Sequence, residues 1–282
     1  VNSGSSGNLV GIASLFYRSK RPLKQGDEVI TAANTFVATV GAINELGAKI
    51  VFIDCDDSFC MNVNHLENYI TNKTKCVFLE SPSNPTMEIV DIDSVVKISH
   101  LHNVLVIVDN ILASPVLQKP MEFGADIVVY SGTKHIDGQG RSIGGAILSS
   151  KQHYEEFLKP FIRHTGPTLS PFNAWVLLKG LETLEYRINQ HCNNALKVAN
   201  YLSLHPKVEK TIYPSLKNHP QFALAKKQML KGGSIVTFVI KGNNAFKFMN
   251  ALNLFDISNN FGDTKSLITH PATTTPVSYT HL

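Results

Sequence analysis

The sequence predicts an α/β protein, with a mostly parallel sheet in a large domain and a second, smaller domain after it. Three observations predict this. Five-residue apolar runs alternate with segments of helical periodicity through the first half of the chain. Strands separated in this way need crossover connections, which makes them parallel and covers both faces of their sheet. Beyond Leu148 the alternation gives way to long amphipathic helices and one further apolar run.

In chain order, residues 9–17 read as a helix entered from the Ser/Gly-rich opening Asn2-Ser3-Gly4-Ser5-Ser6-Gly7. Asp27-Glu28-Val29-Ile30-Thr31 is a short strand, and residues 37–46 form a helix stopped near Gly47. Lys49-Ile50-Val51-Phe52-Ile53 is the next strand, followed by a helix over residues 63–70. Cys76-Val77-Phe78-Leu79-Glu80 is a third strand, and the loop Ser81-Pro82-Ser83-Asn84-Pro85 leads to a helix over residues 92–102. Val104-Leu105-Val106-Ile107-Val108 enters Asp109-Asn110, and Ala125-Asp126-Ile127-Val128-Val129-Tyr130 enters Ser131-Gly132-Thr133-Lys134. Residues 173–187, with Leu177, Leu178, Leu181 and Leu184, and residues 194–204 read as amphipathic helices. Ile235-Val236-Thr237-Phe238-Val239-Ile240 is a strand of the second domain. The division expected is 1–189 for the large domain and 190–275 for part of the small one. Residues 276–282 have no periodicity and are expected to be a non-native tail.

At 282 residues the chain exceeds the usual single-domain size, and 43% hydrophobic with 17% charged residues describes a globular protein with a sizeable core. The net charge of +4 comes from scattered basic residues, which argues against nucleic acid as a partner. No apolar run is long enough to span a membrane. Cys55, Cys60, Cys76 and Cys192 lack metal-site spacing, and neither His135 nor His270 has the partners a metal needs. No metal is expected, and reduced thiols point to a cytoplasmic protein. The start at Val1 and the aperiodic end mark the chain as an expected fragment.

Lys134 is the residue around which the chemistry collects. It follows a buried strand, in a turn with two hydroxyls, while a parallel strand upstream ends on Asp109. Ligand groups of such sheets gather at the carboxyl ends of the strands. An amine, a carboxylate and a hydroxyl-lined turn at that edge suit pyridoxal 5'-phosphate. Its aldehyde takes a lysine as a Schiff base, its ring nitrogen an acid, and its phosphate hydroxyls and backbone N–H groups. A lone Ser-x-Thr-Lys match would be an ordinary surface turn. The paired acid upstream favours the cofactor.

From Val77 to Thr275 the chain resembles the Cys/Met-metabolism family of pyridoxal-phosphate enzymes. The resemblance rests on Glu80-Ser81-Pro82-Ser83-Asn84-Pro85, Val108-Asp109-Asn110, Gly124-Ala125-Asp126-Ile127-Val128 and Ser131-Gly132-Thr133-Lys134. It continues through Leu169-Ser170-Pro171-Phe172-Asn173-Ala174-Trp175, Gly180-Leu181-Glu182-Thr183-Leu184 and Ser266-Leu267-Ile268-Thr269-His270-Pro271-Ala272. Asp137-Gly138-Gln139-Gly140-Arg141 and Ile257-Ser258-Asn259-Asn260-Phe261-Gly262-Asp263 look most like its O-succinylhomoserine sulfhydrylase branch. Residues 1–76 are more similar to the sugar aminotransferase and dehydratase branch of the same fold type, through Asn34-Thr35-Phe36-Val37-Ala38-Thr39 among others.

This resemblance implies fold type I, the PLP-dependent transferase fold, in a homotetramer or dimer. It implies γ-replacement on O-succinylhomoserine or O-acetylhomoserine by sulfide, giving homocysteine. The alternatives are a cystathionine or methionine γ-lyase or γ-synthase, a sugar aminotransferase, and an inactive fragment that only binds. Lys134 is the expected catalytic residue and cofactor anchor, and Asp109 the partner of the ring nitrogen. Ser131, Thr133 and the N–H groups around Gly4, Ser5 and Ser6 are expected at the phosphate. Asn84 is expected at the phenolic oxygen and Phe36 against the ring face. Burial in the core is the rival for Phe36, and a turn role for Asn84. For Arg141, an anion-binding role and a plain surface role stand equal. The segment that carries phosphate ligands to a neighbouring subunit, and the arginine for the substrate carboxylate, are expected to lie outside this chain.

Overall fold

The computed structural model describes residues 1–55, 60–242 and 244–274, so the tail at 276–282 lies outside the described residues. Six strands make the main sheet: β1 (Glu28–Ala32), β2 (Lys49–Ile53), β3 (Thr74–Glu80), β4 (Leu105–Asp109), β5 (Ile127–Ser131) and β6 (Gly145–Ser149). Their order is β2-β1-β3-β4-β5-β6. All neighbours are parallel except β6, which returns antiparallel against β5 directly after the lysine turn.

The strands are apolar without alternation because both faces of the sheet are buried. Val77, Leu79, Val106, Val108 and Val128 enter one core, while Cys76, Phe78, Ile107, Ile127 and Val129 enter the other. Helices α1 (Gly4–Ala13) and α2 (Val37–Glu45) cover the second face through Ile12, Ala42 and Ile43. The single turn α3 (Leu66–Tyr69) and α4 (Ile92–Leu101) cover the first through Leu66, Ile92, Val95 and Val96. A further short turn, α5 (Ser114–Leu117), follows β4.

Beyond β6 lie α6 (Lys151–His153), α7 (Lys159–Thr165), α8 (Pro171–Glu182) and the 20-residue α9 (Leu184–Ser203). Strands β7 (Val208–Ile212) and β8 (Thr237–Ile240) pair antiparallel, with α10 (Phe222–Gln228) between them. The chain continues through α11 (Ala245–Asn250) and the short parallel pair β9 (Asp256–Ile257) and β10 (Leu267–Ile268) to α12 (Pro271–Thr274).

Three boundaries differ from those predicted. The first helix starts at Gly4, not residue 9, because the Ser3 hydroxyl caps it by accepting from Ser6 N at 3.0 Å. The helix predicted over 173–187 breaks at Thr183, whose ψ of 2° leaves the helical range. The helix predicted over 194–204 begins at Leu184 instead, because Leu184, Ile188, Cys192, Ala195 and Ala199 form one buried stripe. That helix runs unbroken across residue 190, the expected domain boundary.

Buried amides fasten the later part of the chain to the carboxyl edge of the sheet. Gln118 Nε2 donates to Ser81 O and to Asn110 Oδ1, both at 2.8 Å. Gln228 of α10 donates to Gln118 Oε1 at 3.0 Å and to Val90 O at 2.9 Å, and accepts from Ile92 N. These amides hold Ser81 and Asn110, the residues next to the ends of β3 and β4, in a satisfied polar network.

Candidate active site

Two carboxylates and the turn that carries Lys134 follow neighbouring strands at this edge. Glu80 and Asp109 end β3 and β4 and are direct partners in the parallel register. Burial raises the pKa of both, and for Glu80 the charge of Asp109 adds to it. Ile111 N donates to Asp109 Oδ1 at 3.1 Å, and no salt bridge among the described residues reaches Asp109. A carboxyl buried in this way favours a cationic partner.

Lys134 follows β5 in a π-helical turn over Gly132–Ile136, closed by Asp137 N donating to Gly132 O at 2.9 Å. Lys134 itself leaves helical geometry, with φ −92° and ψ −116°. Its amine donates to Asn260 Oδ1 at 2.5 Å and lies 4.9 Å from the centre of the Phe261 ring. Burial lowers its pKa. Desolvation is the cause of that shift.

The turn is gripped from two sides. Arg187 on α9 donates to His135 O at 2.8 Å, to Ile136 O at 3.2 Å and to Gly180 O at 2.7 Å. On the other side the 258–263 loop lies against the lysine backbone. A Cβ at Gly262 would stand 2.6 Å from His135 N and 2.9 Å from Lys134 C, and Gly262 has φ +81°. Only glycine allows that approach with that backbone.

At the mouth of the turn, α1 points its first residues at Ser131. A Cβ on Gly4 would lie 2.9 Å from Ser131 Cβ, so glycine lets the helix start come this close. The first N–H groups of a helix have no partner inside it, and they carry partial positive charge. Gly4 and Ser131 are therefore brought together, with Ser5 and Ser6 following Gly4 in the first turn of α1. The Thr133 hydroxyl is also near, but it accepts from Gly144 N at 3.1 Å and faces Gly144 O at 3.4 Å.

The chain resembles known proteins over nearly its whole length. The family model described as Cys/Met metabolism PLP-dependent enzyme matches residues 4–281. The chain belongs to this family. It is 44% identical over 276 residues to O-succinylhomoserine sulfhydrylase of Mycobacterium tuberculosis, covering 94% of this chain and 66% of that protein. It is 38% identical to L-methionine gamma-lyase of Fusobacterium nucleatum, covering 92% of this chain and again 66% of the relative. The chain thus spans just under two thirds of the length of these curated relatives. Among solved structures, metB from Corynebacterium glutamicum superposes with a TM-score of 0.88 at 32% identity, over 98% of this chain and 70% of that one. The family match includes residues 4–76, the stretch that looks more like a sugar aminotransferase in sequence.

The fold is therefore that of PLP-dependent enzymes of type I, and pyridoxal phosphate is the family's cofactor. The residues present fit it. A buried acid without a salt bridge, a buried amine of lowered pKa and a helix start laid against Ser131 are the three groups it needs. Phe36 is 55% exposed at the start of α2, so the core role that rivalled ring stacking is ruled out. Asn84 is exposed on the loop after β3, which Thr237 of β8 fastens by donating to Pro85 O at 2.5 Å. Arg141 resolves toward a structural role: its N and Nε hold the Asp137 carboxylate at 2.6 and 3.0 Å.

Glu80, Asn260, Phe261 and Arg187 were not predicted as site residues. Glu80 and the 257–263 stretch stand inside recognised motifs, so a signal was present without a role. For Arg187 the sequence offers only a cation on a helix. Among the described residues no metal cluster forms, no helix is long and apolar enough to cross a membrane, and the four cysteines make no disulfide.

Proposed function

We propose that the protein replaces the acyloxy group of an activated homoserine ester with sulfide, breaking the Cγ–O bond and releasing the carboxylate, to form homocysteine in methionine biosynthesis. The observation that supports this most is the pairing of Lys134 and Asp109 at neighbouring strand ends, one a basic amine and the other a buried acid. Its likeness to O-succinylhomoserine sulfhydrylase favours this reaction over others of the family.

When bound, pyridoxal phosphate withdraws electrons from the substrate and makes its Cα and Cβ protons acidic. The chain supplies the rest. Asp109 would hold the ring nitrogen's proton, and Lys134 would anchor the aldehyde and serve as the base for the proton on substrate Cα. Burial lowers its pKa, so it can act as a base nearer neutral pH. Asn260 orients the amine by accepting from it. Ser131, Thr133 and the N–H groups around Gly4, Ser5 and Ser6 would hold the phosphate. Phe36 would pack on the ring and Asn84 would meet the phenolic oxygen. A pair of small and large domains, meeting in a dimer or tetramer, completes the site, and unbridged thiols support a cytoplasmic setting.

The γ-lyase reading is favoured by the relatives named as methionine and cystathionine gamma-lyases. One assay separates the two. Incubation of the cofactor-loaded protein with O-succinylhomoserine and sulfide gives homocysteine for γ-replacement. Ammonia and 2-oxobutanoate in its place overturn the sulfhydrylase reading, and cofactor binding without either product overturns both.

A further inference from the structure

We propose that His135 is a positioning residue whose Nδ1–H ring locks the Asp109 turn, the Lys134 turn and Ser234 into one unit. The observation is a set of hydrogen bonds that meet at a single residue, Ile111. Ile111 N donates to Asp109 Oδ1 at 3.1 Å, and Ile111 O accepts from His135 Nδ1 at 3.1 Å. A carbonyl only accepts, so the hydrogen sits on Nδ1. The other ring nitrogen, Nε2, then accepts from the Ser234 hydroxyl at 2.8 Å. His135 is the residue after Lys134, and the acid and the amine are thereby tied through one imidazole.

Ser234 belongs to the segment between α10 and β8, far from both strands in sequence. Its neighbour Gly233 is fixed in turn, its carbonyl accepting from the buried Tyr213 hydroxyl at 2.9 Å. Through this bond the later part of the chain reaches the backbone of the lysine turn.

The environment holds the ring neutral, as this tautomer requires. His135 is 2% exposed, its charged neighbours His191, Arg187 and Lys134 are all basic, and its pKa is pushed down to about 4, chiefly by burial. The Phe261 ring packs on it at 5.7 Å between centroids. A neutral ring at this place gives the turn two directional contacts without adding a cation beside the Lys134 amine.

The inference rests on the role proposed for Lys134 only in its kinetic arm. Ring 15N NMR of the protein, with and without pyridoxal phosphate at pH 7, should show His135 protonated on Nδ1 alone. An Nε2–H or doubly protonated ring overturns the proposal without any variant. His135→Asn keeps a donor near the Nδ1 position, whereas His135→Gln keeps a polar group only near Nε2. His135→Gln should speed amide exchange over residues 132–138 of the cofactor-free protein about tenfold, the loss expected for one hydrogen bond. It should lower kcat about tenfold to a hundredfold with KM little changed, since misplacing a reacting group costs rate first. His135→Asn should recover most of both, and Ser234→Ala should loosen the turn less than His135→Gln does. If the Asn and Gln variants are equally impaired, or if Gln leaves exchange and kcat as they were, the ring is only filling space. Because exchange and NMR need no turnover, a failed sulfhydrylase reaction leaves this test intact.

Discussion

The Lys134 amine donates to Asn260 Oδ1 at 2.5 Å, across 126 residues of sequence. A residue of the 258–263 loop therefore sets the direction of the amine to which the proposed chemistry is assigned. That amine is partly buried, and its free pair is available only in the neutral form.

Replacing Asn260 should act on the amine electrically as well as sterically. Asn260→Asp puts an anion against it, which favours the ammonium form and raises its pKa. The ascending limb of the pH–rate profile, on its acidic side, should move to higher pH, by about one unit or more. Asn260→Ala should lower kcat about tenfold through lost orientation and move the profile less. A profile unchanged in Asn260→Asp would mean that the contact does not persist in the working protein.

Lys134→Ala should abolish the covalent attachment of pyridoxal phosphate and all turnover. Borohydride reduction and peptide mapping check this directly. A cofactor adduct on another lysine of the wild-type chain would remove Lys134 from its role.

Asp109 carries a pH signature in the cofactor-free protein. Its folded-state pKa is raised, so the folded form holds a proton that the unfolded chain gives up. That contribution is fully present below the ordinary value of about 4 and is lost as pH rises through a folded value of about 7. Asp109→Asn removes the buried charge. Without cofactor it should be more stable than wild type at pH 8, on the order of 2 kcal/mol, and nearly equal at pH 4. Exchange of the substrate α-proton should nevertheless collapse, because an amide cannot hold the ring nitrogen protonated. Denaturant melts at the two pH values and proton exchange in deuterated water measure the two effects.

Arg187→Ala should leave the carbonyls of His135, Ile136 and Gly180 without their shared donor. Loss of roughly 3 kcal/mol is expected from urea unfolding, since the hydrogen bonds are to a charged group. Arg187→Lys should recover only part of it, because a point charge cannot reach three acceptors with the geometry of a planar fork.

Gly4→Ala tests the helix start at Ser131. The added Cβ would sit 2.9 Å from Ser131 Cβ, so α1 must move back. Pyridoxal phosphate affinity should fall about tenfold, as helix-terminus and hydroxyl contacts to the phosphate lengthen. Thermal stability without cofactor should change less. Equal affinity in the variant, measured by titration, would place the phosphate elsewhere.

Much of the parallel sheet was legible in the chain itself. Apolar strands such as Leu105–Asp109 and helices such as Val37–Glu45 follow from local pattern, because both faces of the inner strands are buried and each helix buries one stripe. The places of Asp109 at the end of β4 and of Lys134 in the turn after β5 were legible as well, from where the apolar runs stop. The start of α1 and the break at Thr183 were not. The first depends on a Ser3 cap in a stretch with several Ser and Gly residues that could serve, and the second falls inside a periodicity that continues across it.

What the sequence determined by itself is the sheet, the family's cofactor and the placing of a lysine and an acid at strand ends, all set by short-range pattern. Tertiary structure alone decided how those groups are held. Asn260 on the lysine amine, Arg187 on the turn's carbonyls and Ser234 on His135 are contacts between residues 51 to 126 positions apart. No local period records such pairs. They form because packing the loops and helices after β6 against the carboxyl edge leaves polar atoms inside, and each buried donor or acceptor must find a partner there.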